Sequence, residues 1–429
     1  MKGKRSKIDR RNFLKTVGAV GLGSALTGVR GVFASAENTT GPNEPNVVDS
    51  NAVKEQKPEL PQVPKRKLGK TGIEVSCLGL GTMINLVDNQ IILRNTVKWG
   101  VKYWDTAHGY AGGNSELGIG KFLSRNPEVR EDLFLVSKAS GARTVADVEK
   151  RLQSSLQRMN TDYIDSYYAP HGAFDPAQFT TELKEWVESA KKRKLIRFFG
   201  FSTHSNMAKC LVAAAKLGWI DVIMPRFNFR VMQDPEMQAA IDACYKAGIG
   251  LVAMKTTGRT TIRRFRKKIE TEAEKKMVAH FLERGFTPEQ AAIKLVLADK
   301  RISTAAVQME NTAVLSQNVA AVLDKTELTQ ADREAFKEYA EATCSGYCAG
   351  CEEICSAAVP DMPYVADVMR YLMYYNSYGD HEMARELYAK LPARAKRKIL
   401  SADYSLAEAR CPNRLPIAAL IKEAAARLA

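Results

Sequence analysis

Apolar residues fall in short runs along most of the chain, and longer stretches with helical spacing separate these runs. Eight runs of four to six residues, bounded by polar or turn-forming residues, predict β-strands. The predicted strands are Cys77–Leu80, Lys102–Thr106, Leu133–Lys138, Tyr163–Tyr168, Phe198–Ser202, Asp221–Pro225, Ile249–Met254 and Thr304–Gln308. Between them, apolar positions recur every three or four residues and predict helices, for example Val145–Met159, Thr180–Lys192, Met207–Leu217 and Pro235–Ala247.

Strands that alternate with helices in this way are typical of parallel βα units. Eight such units in about 260 residues predict an α/β fold of the TIM type, a closed (β/α)8 barrel. The alternative is a doubly wound open sheet, which needs a glycine-rich phosphate loop that opens a helix. The G-L-G at Gly79–Gly81 lacks the third spaced glycine and a following helix, so the barrel is favoured.

The first 36 residues differ in composition from the rest of the chain. Lysines and arginines are followed by D-R-R-N-F-L-K at Asp9–Lys15, by a mildly apolar stretch at Thr16–Val29, and by Ala34-Ser35-Ala36. The apolar stretch is too short to make a stable membrane span. Paired arginines before a short apolar stretch and a small-residue cleavage site predict a twin-arginine signal peptide over residues 1–36. A disordered basic tail is the alternative.

A twin-arginine signal predicts export, and therefore a periplasmic or other extracytoplasmic location. The export machinery would then be a partner, and it carries proteins that are already folded. Residues 37–64 are polar and rich in proline, so they predict a flexible linker. The barrel is expected over residues 65–335 and a second, smaller domain over residues 336–429.

Charge does not indicate a nucleic-acid partner. The formal net charge is +15, but residues 1–36 alone hold eight Lys and Arg against one Asp. The remaining chain is mildly basic, which is typical of a solvated surface. One strongly basic segment, Arg259 to Lys276, either covers a cofactor and attracts anions or is a solvated helix face, and the second interpretation is favoured.

Four polar side chains follow three consecutive predicted strands. Asp105 and Tyr110 follow the second strand, Lys138 ends the third, and His171 follows the fourth. In a (β/α)8 barrel the carboxyl ends of the strands carry the chemistry, so these side chains are expected on one rim. His108 and His204 lie near the same rim, where they either contact substrate or are ordinary loop residues.

These four residue types suit proton transfer to an oxygen while hydride reaches a carbon. A tyrosine has an ordinary pKa of about 10, and a neighbouring ammonium lowers it. The sequence therefore predicts that Lys138 lowers the pKa of Tyr110, and that Asp105 holds the lysine. His171 would donate a hydrogen bond to a carbonyl oxygen.

Two motifs resemble the aldo-keto reductases. L-G-K-T-G-I-E-V-S-C-L-G-L-G-T-M at Leu68–Met83 is similar to the opening of that family, and D-T-A-x-x-Y with G-N-S-E at Gly113–Glu116 is similar to its second-strand motif. The resemblance covers residues 65–322. It implies a catalytic tetrad of Asp105, Tyr110, Lys138 and His171, with Tyr110 as general acid and base, and bound NAD(P)H.

The resemblance also implies contacts to the cofactor, but the family pattern is altered there. The matching positions are Ser202, Thr203, Arg226, Lys255, Gln308, Asn311 and Asn318. Thr203 replaces an amide residue and Arg226 replaces a glutamine. Glu310 replaces a basic residue, and its carboxylate would repel a 2′-phosphate, which argues against a preference for NADPH.

Near the C-terminus, Cys344-x3-Cys348-x2-Cys351-x3-Cys355 is followed much later by Cys411-Pro412. The spacing resembles half of a bacterial ferredoxin motif and implies one [4Fe–4S] cluster. By that resemblance Cys344, Cys348, Cys351 and Cys411 are its ligands, and Cys355 is spare or replaces Cys411. Four thiolates could also bind zinc. Together with the barrel, the chain resembles aldo-keto reductases that carry a small α-helical, ferredoxin-like C-terminal domain.

The predicted function is that of an oxidoreductase that interconverts a carbonyl and an alcohol on a small, polar, sugar-like substrate with bound NAD(P)H. The cluster would be structural or would serve a redox partner protein. The alternative is an iron–sulfur electron carrier or binding module whose barrel is inactive. A structural protein stabilised by zinc is a third class.

Overall fold

The structure is a computed structural model. It describes residues 60–204, 206–258, 272–342, 348, 352–378, 381–411 and 414–429. The predicted signal peptide, most of the predicted linker, most of the basic segment, and the predicted ligands Cys344 and Cys351 lie outside the described residues. Residues 62–429 form one compact unit.

Eight parallel strands close into a barrel in the order β10-β3-β4-β5-β6-β7-β8-β9. They are β3 (Leu78–Gly81), β4 (Tyr103–Asp105), β5 (Phe134–Lys138), β6 (Ile164–Ala173), β7 (Ile196–Thr203), β8 (Val222–Pro225), β9 (Gly250–Met254) and β10 (Thr304–Gln308). Each corresponds to a predicted strand, so the TIM-type barrel is confirmed.

Helices follow the strands on the outside of the barrel. They are α1 (Gln90–Lys98), α2 (Asn114–Leu123), α3 (Val145–Met159), α4 (Thr181–Lys192), α5 (Met207–Leu217), α6 (Pro235–Lys246), α7 (Glu272–Glu283), α8 (Pro288–Ala298) and α9 (Thr312–Leu323). Side-chain caps set several starts: Thr144 and Asp147 form a capping box at α3, and Thr180 caps α4.

An antiparallel hairpin, β1 (Lys65–Lys67) and β2 (Glu74–Ser76), precedes the barrel and was not predicted. Leu68 and Val75 of this hairpin are buried in the same hydrophobic cluster as the barrel residues Tyr103 and Val252. The backbone N–H of Lys70 donates to the carbonyl just before β9, at 2.6 Å. The hairpin therefore covers the amino end of the barrel, and the chemistry is left to the carboxyl end.

After the barrel, α10 (Gln330–Ala342) crosses the predicted domain boundary at residue 335. Its Phe336 and Tyr339 pack in one cluster with Phe229 and Phe281, so this helix is packed on the barrel. The shorter helices that follow are α11 (Glu352–Cys355), α12 (Val365–Tyr378), α13 (His381–Ala389), α14 (Ala393–Lys398), α15 (Ser405–Arg410) and α16 (Ile417–Leu428). Within the described ranges, no helix has the length and apolar character needed to cross a bilayer.

Candidate active site

The predicted tetrad comes together at the carboxyl ends of β4, β5 and β6. The Nζ of Lys138 lies 2.5 Å from Oδ1 of Asp105 and 3.4 Å from the phenol oxygen of Tyr110, and it also donates to the carbonyl of Thr106 at 2.7 Å. Lys138 is 1% exposed and Asp105 is 5% exposed. Parallel pairing of β4 with β5 brings these two side chains to the same rim.

The turn between β4 and α2 sets the position of Tyr110. A short 3₁₀ turn spans Tyr110–Gly113, and Ala111, Gly112 and Gly113 all have positive φ. That conformation suits glycine and is uncommon for alanine. Because the turn reverses the chain at once into α2, the tyrosine stays over the barrel mouth.

Burial and charge act against each other on the two central groups. Burial lowers the pKa of Lys138, but the charge of Asp105 and the hydrogen bonds to Asp105 and Tyr110 outweigh it and hold this pKa above its usual value. Burial is also the largest influence on Tyr110 and raises its pKa, and the nearby ammonium of Lys138 only partly opposes it. The predicted effect of Lys138 on Tyr110 is present, since its charge and hydrogen bond lower the phenol pKa, but burial outweighs it and keeps the pKa above its usual value. A protonated phenol beside a charged ammonium is arranged to donate a proton.

His171 faces the same space as Tyr110. The two ring centroids are 5.9 Å apart with an interplanar angle of 69°. Burial and the charge of Lys138 lower the pKa of His171 to about 3, so the ring is neutral at physiological pH. Its Nδ1 lies 2.9 Å from the hydroxyl of Ser140, and that hydroxyl accepts the N–H of Gly109 at 3.1 Å. Ser140 is then free to donate to Nδ1, which favours the tautomer with its proton on Nε2.

Three residues that support this site were missed as functional positions. Glu116, fully buried on α2, accepts the Ser137 hydroxyl at 2.6 Å and lies 3.3 Å from NH1 of Arg158. The same NH1 donates to the carbonyl of His108 at 2.9 Å. Arg158 therefore ties α3 to the loop that carries Tyr110. Glu116 was part of the quoted motif. Nothing in the spacing of residues along the chain pointed to a functional role for Arg158 or Ser137.

The arrangement of a buried Lys–Asp pair, a protonated tyrosine and a neutral histidine at a barrel mouth agrees with the comparison to known families. The sequence model of the aldo/keto reductase family matches residues 77–341. The chain belongs to the aldo/keto reductase family. Its function is accordingly that of an oxidoreductase, and members of this family typically bind NAD(P)H.

One curated relative of this aldo/keto reductase is the L-galactose dehydrogenase of Arabidopsis thaliana, 25% identical over 304 residues, which cover 65% of this chain and 94% of the relative. Among solved structures, the aldo-keto reductase AKR11C1 from Bacillus halodurans (holo form) shares the fold with a TM-score of 0.54 at 24% identity, covering 66% of this chain and 98% of that one. The thermostable aldo-keto reductase Tm1743, in complex with the inhibitor epalrestat, has a TM-score of 0.52 at 25% identity, covering 64% and 99%.

Ser202 and Thr203, two of the predicted cofactor contacts, lie fully buried at the end of β7. The hydroxyl of Thr203 donates to the carbonyl of Ala173 at 2.6 Å, and the hydroxyl of Ser202 accepts the N–H of Gly172 at 3.2 Å. Both hydroxyls thus bind the end of β6. In this aldo/keto reductase they hold the strand that carries His171.

Arg226 and Lys255 follow β8 and β9 and lie side by side. Arg226 is buried, forms a β-bridge with Met254, and donates its backbone N–H to Thr203 at 3.1 Å. Lys255 is exposed, although the protein packed around its ammonium partly desolvates it. This desolvation, together with the charges of Arg370 and Arg226, lowers the pKa of Lys255 to about 8. Arg370, on α12, was not predicted.

The predicted contacts after β10 form a small polar group. The side-chain amide of Gln308 donates to Glu310 at 2.9 Å, and Oδ1 of Asn311 accepts the N–H of Val314 at 3.0 Å and so caps α9. Asn318 is 3% exposed. Its Nδ2 has no hydrogen-bond partner within the described part of the chain.

The hydroxyl of Thr256, buried just after β9, also has no partner among the described residues. A buried polar atom without a partner costs about 1–3 kcal/mol. The polar groups of a bound dinucleotide can satisfy Thr256 and Asn318, so the residues present fit the cofactor.

The two further histidines of the rim are neutral. Burial and the charges of Arg158 and Arg151 lower the pKa of His108 to about 4. Burial and the charges of Lys255 and Arg226 lower the pKa of His204 well below its usual value. His204 thus lies on the side of the barrel mouth that carries Arg226 and Lys255. Contact between His204 and substrate stays a prediction.

Three of the predicted cluster cysteines share one hydrophobic core. Cys348 and Cys355 are buried there, and Cys411 packs against the same cluster. The backbone N–H of Leu415 donates to Sγ of Cys411 at 3.5 Å. Among the residues that the structure describes, no group of three or more His, Cys, Asp and Glu is placed to hold a metal. The [4Fe–4S] site thus stays a prediction.

Proposed function

We propose that this chain is an exported, NAD(P)-linked aldo-keto oxidoreductase that acts on a sugar-like substrate and carries one [4Fe–4S] cluster. The observation that carries the catalytic part is the convergence of Tyr110, Lys138, Asp105 and His171 at one end of the barrel. Asp105, Lys138 and His171 lie at or near strand ends, and Tyr110 lies in the turn after β4, at the end of the barrel where (β/α)8 enzymes place their chemistry.

The chain supplies the proton in carbonyl reduction. The chemistry that NAD(P)H would supply when bound is a hydride for the carbonyl carbon. The phenol of Tyr110 donates its proton to the carbonyl oxygen, so that an alcohol forms. The ammonium of Lys138, 3.4 Å away, stabilises the phenolate that remains. Asp105 keeps that ammonium charged and in place. Alcohol oxidation runs the same proton transfer in reverse.

His171 orients the carbonyl. With its Nδ1 bound to Ser140, Nε2–H is available as a donor to the substrate oxygen. Because the ring is neutral, it polarises the carbonyl without competing with Tyr110 as the acid. The proton therefore comes from the tyrosine.

The substrate class is inferred from the polar rim and from similarity. The Arabidopsis relative is an L-galactose dehydrogenase. We infer a small polar substrate of sugar type for this chain, with hydroxyl groups that hydrogen-bond to the rim residues.

The cluster would be held by Cys344, Cys348, Cys351 and Cys411, with Cys355 as the alternative fourth ligand. Support comes from the shared core of Cys348, Cys355 and Cys411 and from the N–H···S bond to Cys411, because such bonds are typical of cluster thiolates. The chemistry it would supply is single-electron transfer to a redox partner protein, or a structural cross-link of the C-terminal domain over residues 336–429.

Export is proposed from the paired Arg10-Arg11 and the small-residue site at Ala34–Ala36. Cell fractionation tests it. Wild-type protein should be found outside the cytoplasm, and the double variant Arg10→Lys/Arg11→Lys should be retained inside. Equal export of both would contradict the proposal.

One preparation tests the cofactor content. The protein is purified without oxygen from a host with an intact twin-arginine route, and its iron, sulfide, zinc and released dinucleotide are measured. The proposal expects about four iron and four sulfide per chain, and nicotinamide dinucleotide on denaturation. Zinc without sulfide would exclude the iron–sulfur site.

An iron–sulfur carrier with an inactive barrel is the second candidate. Two predicted cofactor contacts favour it, because the Thr203 hydroxyl and the Asn311 side chain already bind the protein itself. Iron and sulfide without dinucleotide, together with no sugar-dependent change in added NAD(P)H, would support it over the reductase.

A further inference from the structure

The C-terminal domain packs on the catalytic end of the barrel. Ile354, on α11, is buried against Phe174, the residue that directly follows β6. Phe174 lies three residues after His171 in the chain, and its carbonyl accepts the side-chain amide of Asn206, after β7, at 2.9 Å. A helix of the C-terminal domain therefore touches the rim that carries the proposed tetrad.

Two cations stand on neighbouring strand ends of this rim. Arg226 follows β8 and is 4% exposed, and Lys255 follows β9. A β-bridge between Arg226 and Met254 keeps the two segments adjacent. Lys255 has a φ of +53°, which is uncommon for a residue other than glycine, and its carbonyl accepts the side-chain amide of Asn228 at 2.8 Å. The backbone therefore holds both cations at one part of the rim.

A third cation comes from the C-terminal domain. Arg370 is half-buried on α12, a helix whose apolar residues pack in the C-terminal core. Partial desolvation, and then the charges of Arg370 and Arg226, lower the pKa of Lys255. Burial and the surrounding positive charges, with that of Arg370 among them, lower the pKa of His204. Arg370 therefore lies close enough to the rim for its charge to reach both residues.

Three like charges in one place repel one another, so a bound anion would relieve them. Within the described part of the chain, no carboxylate makes an ion pair with Lys255 or Arg370. Asp367 lies one turn before Arg370 on α12, but burial raises the pKa of its carboxyl and the charge of Arg370 only partly opposes this. A thiolate at Cys348, a proposed cluster ligand, would oppose the charge of Lys255.

We propose that the C-terminal domain completes the catalytic site, and that Arg370 binds an oxyanion there together with Lys255 and Arg226. The oxyanion belongs to the pyrophosphate of the dinucleotide or to a carboxylate of the sugar-like substrate, and charge-assisted hydrogen bonds hold it. Arg370 lies outside residues 77–341, which match the family, so this contact is an addition of this chain. The inference rests on the proposed function, because that function supplies both candidate ligands.

Inorganic pyrophosphate tests the oxyanion site without any need for turnover. Protein purified without oxygen and then freed of dinucleotide is titrated by calorimetry, and wild-type protein should bind pyrophosphate with one saturable site. Arg370→Gln should bind it at least about ten-fold more weakly, because a charge-assisted contact is lost. The matched control is Arg394→Gln, which removes an exposed arginine of α14 and should leave the affinity unchanged. Thermal unfolding shows whether each variant is folded.

Two further titrations identify the source of the oxyanion. If it belongs to the dinucleotide, Arg370→Gln should weaken the binding of NAD⁺, whose phosphates both lie in the pyrophosphate, by about ten-fold. If it belongs to the substrate, the variant should lose affinity for D-galacturonate and keep its affinity for D-galactose, which has a hydroxymethyl group in place of the carboxylate. Pyrophosphate binding that depends on Arg370, without any binding of dinucleotide or sugar, would contradict the proposed function and support this site.

The proposal is overturned if wild-type protein does not bind pyrophosphate, or if Arg370→Gln binds it as tightly as wild type. Iron content is measured on the same samples. Loss of iron in Arg370→Gln with unchanged pyrophosphate binding would show that this arginine balances the charge of the cluster instead, and would also overturn the proposal.

Discussion

The Nζ of Lys138 lies 2.5 Å from the carboxylate of Asp105, and both side chains are buried inside the mouth of the barrel. A buried ion pair is expensive to split, because the remaining charge has no water to solvate it. The same ammonium lies 3.4 Å from the phenol of Tyr110, so the ion pair also holds a positive charge next to the proposed acid.

Replacing only the lysine should therefore destabilise the fold. Lys138→Met leaves Asp105 buried without its partner, and we expect the free energy of unfolding to fall by about 3–5 kcal/mol. The double variant Lys138→Met/Asp105→Asn should recover part of that loss. Urea unfolding of the three proteins measures both effects, and a loss below about 1 kcal/mol for the single variant would show that the pair behaves like a surface pair.

Arg158 should act on catalysis through position. It binds the carbonyl of His108 in the loop that carries Tyr110, so Arg158→Gln should let the phenol move. Small displacements of a reacting group cost up to about 100-fold, and we expect kcat to fall about 10- to 100-fold with KM nearly unchanged. Arg193→Gln, which breaks a pair with Glu149 on the barrel exterior, is the control and should have wild-type kcat. A similar kcat for both variants would show that Arg158 does not position Tyr110 for catalysis.

His171 predicts a pH dependence of stability. Its pKa is lowered from 6.5 to about 3 in the folded protein, so below pH 6.5 the unfolded chain binds a proton that the folded chain does not. The free energy of unfolding should be fully retained above pH 6.5 and should decrease as the pH falls towards 3. In His171→Gln this decrease should be shallower, which urea titrations at several pH values can measure. Parallel curves for the two proteins would contradict a half-buried imidazole that stays neutral in the folded protein.

Glu310 predicts the choice of dinucleotide. Its carboxylate lies at the start of α9, bound to Gln308, where it would repel a 2′-phosphate. Glu310→Gln should raise the ratio of kcat/KM for NADPH to that for NADH by about ten-fold. The exposed Glu128→Gln is the control. An unchanged ratio in Glu310→Gln would mean that the 2′-phosphate does not lie near this carboxylate.

The barrel was predictable because each strand is a separate apolar run with its own turn signals. The strands Phe134–Lys138 and Thr304–Gln308 have local patterns that tertiary packing does not override. The hairpin that covers the amino end was missed, since β1 and β2 are three residues each and β1 is largely charged. Its stability comes from Leu68 and Val75 inside the barrel, which no local pattern reveals.

The site was predictable to the level of which residues meet, and not to the level of their energetics. Strand ends placed Asp105, Lys138 and His171 on one rim. The direction of the Tyr110 pKa could not be predicted, because it depends on how strongly burial opposes the charge of Lys138. The role of Arg158 could not be predicted from the sequence either, since its partners are 42 and 50 residues away along the chain.

The most direct test of the reductase is a comparison of wild-type protein with Tyr110→Phe. Sugar-dependent change in NAD(P)H absorbance is followed for both, with thermal unfolding and iron content measured on the same samples. Losing the proton donor should reduce turnover by about 10²- to 10⁴-fold while the fold and any bound iron are unchanged. Wild-type turnover in Tyr110→Phe, with the substrate and dinucleotide that the native protein uses, would contradict the assignment of this phenol as the acid.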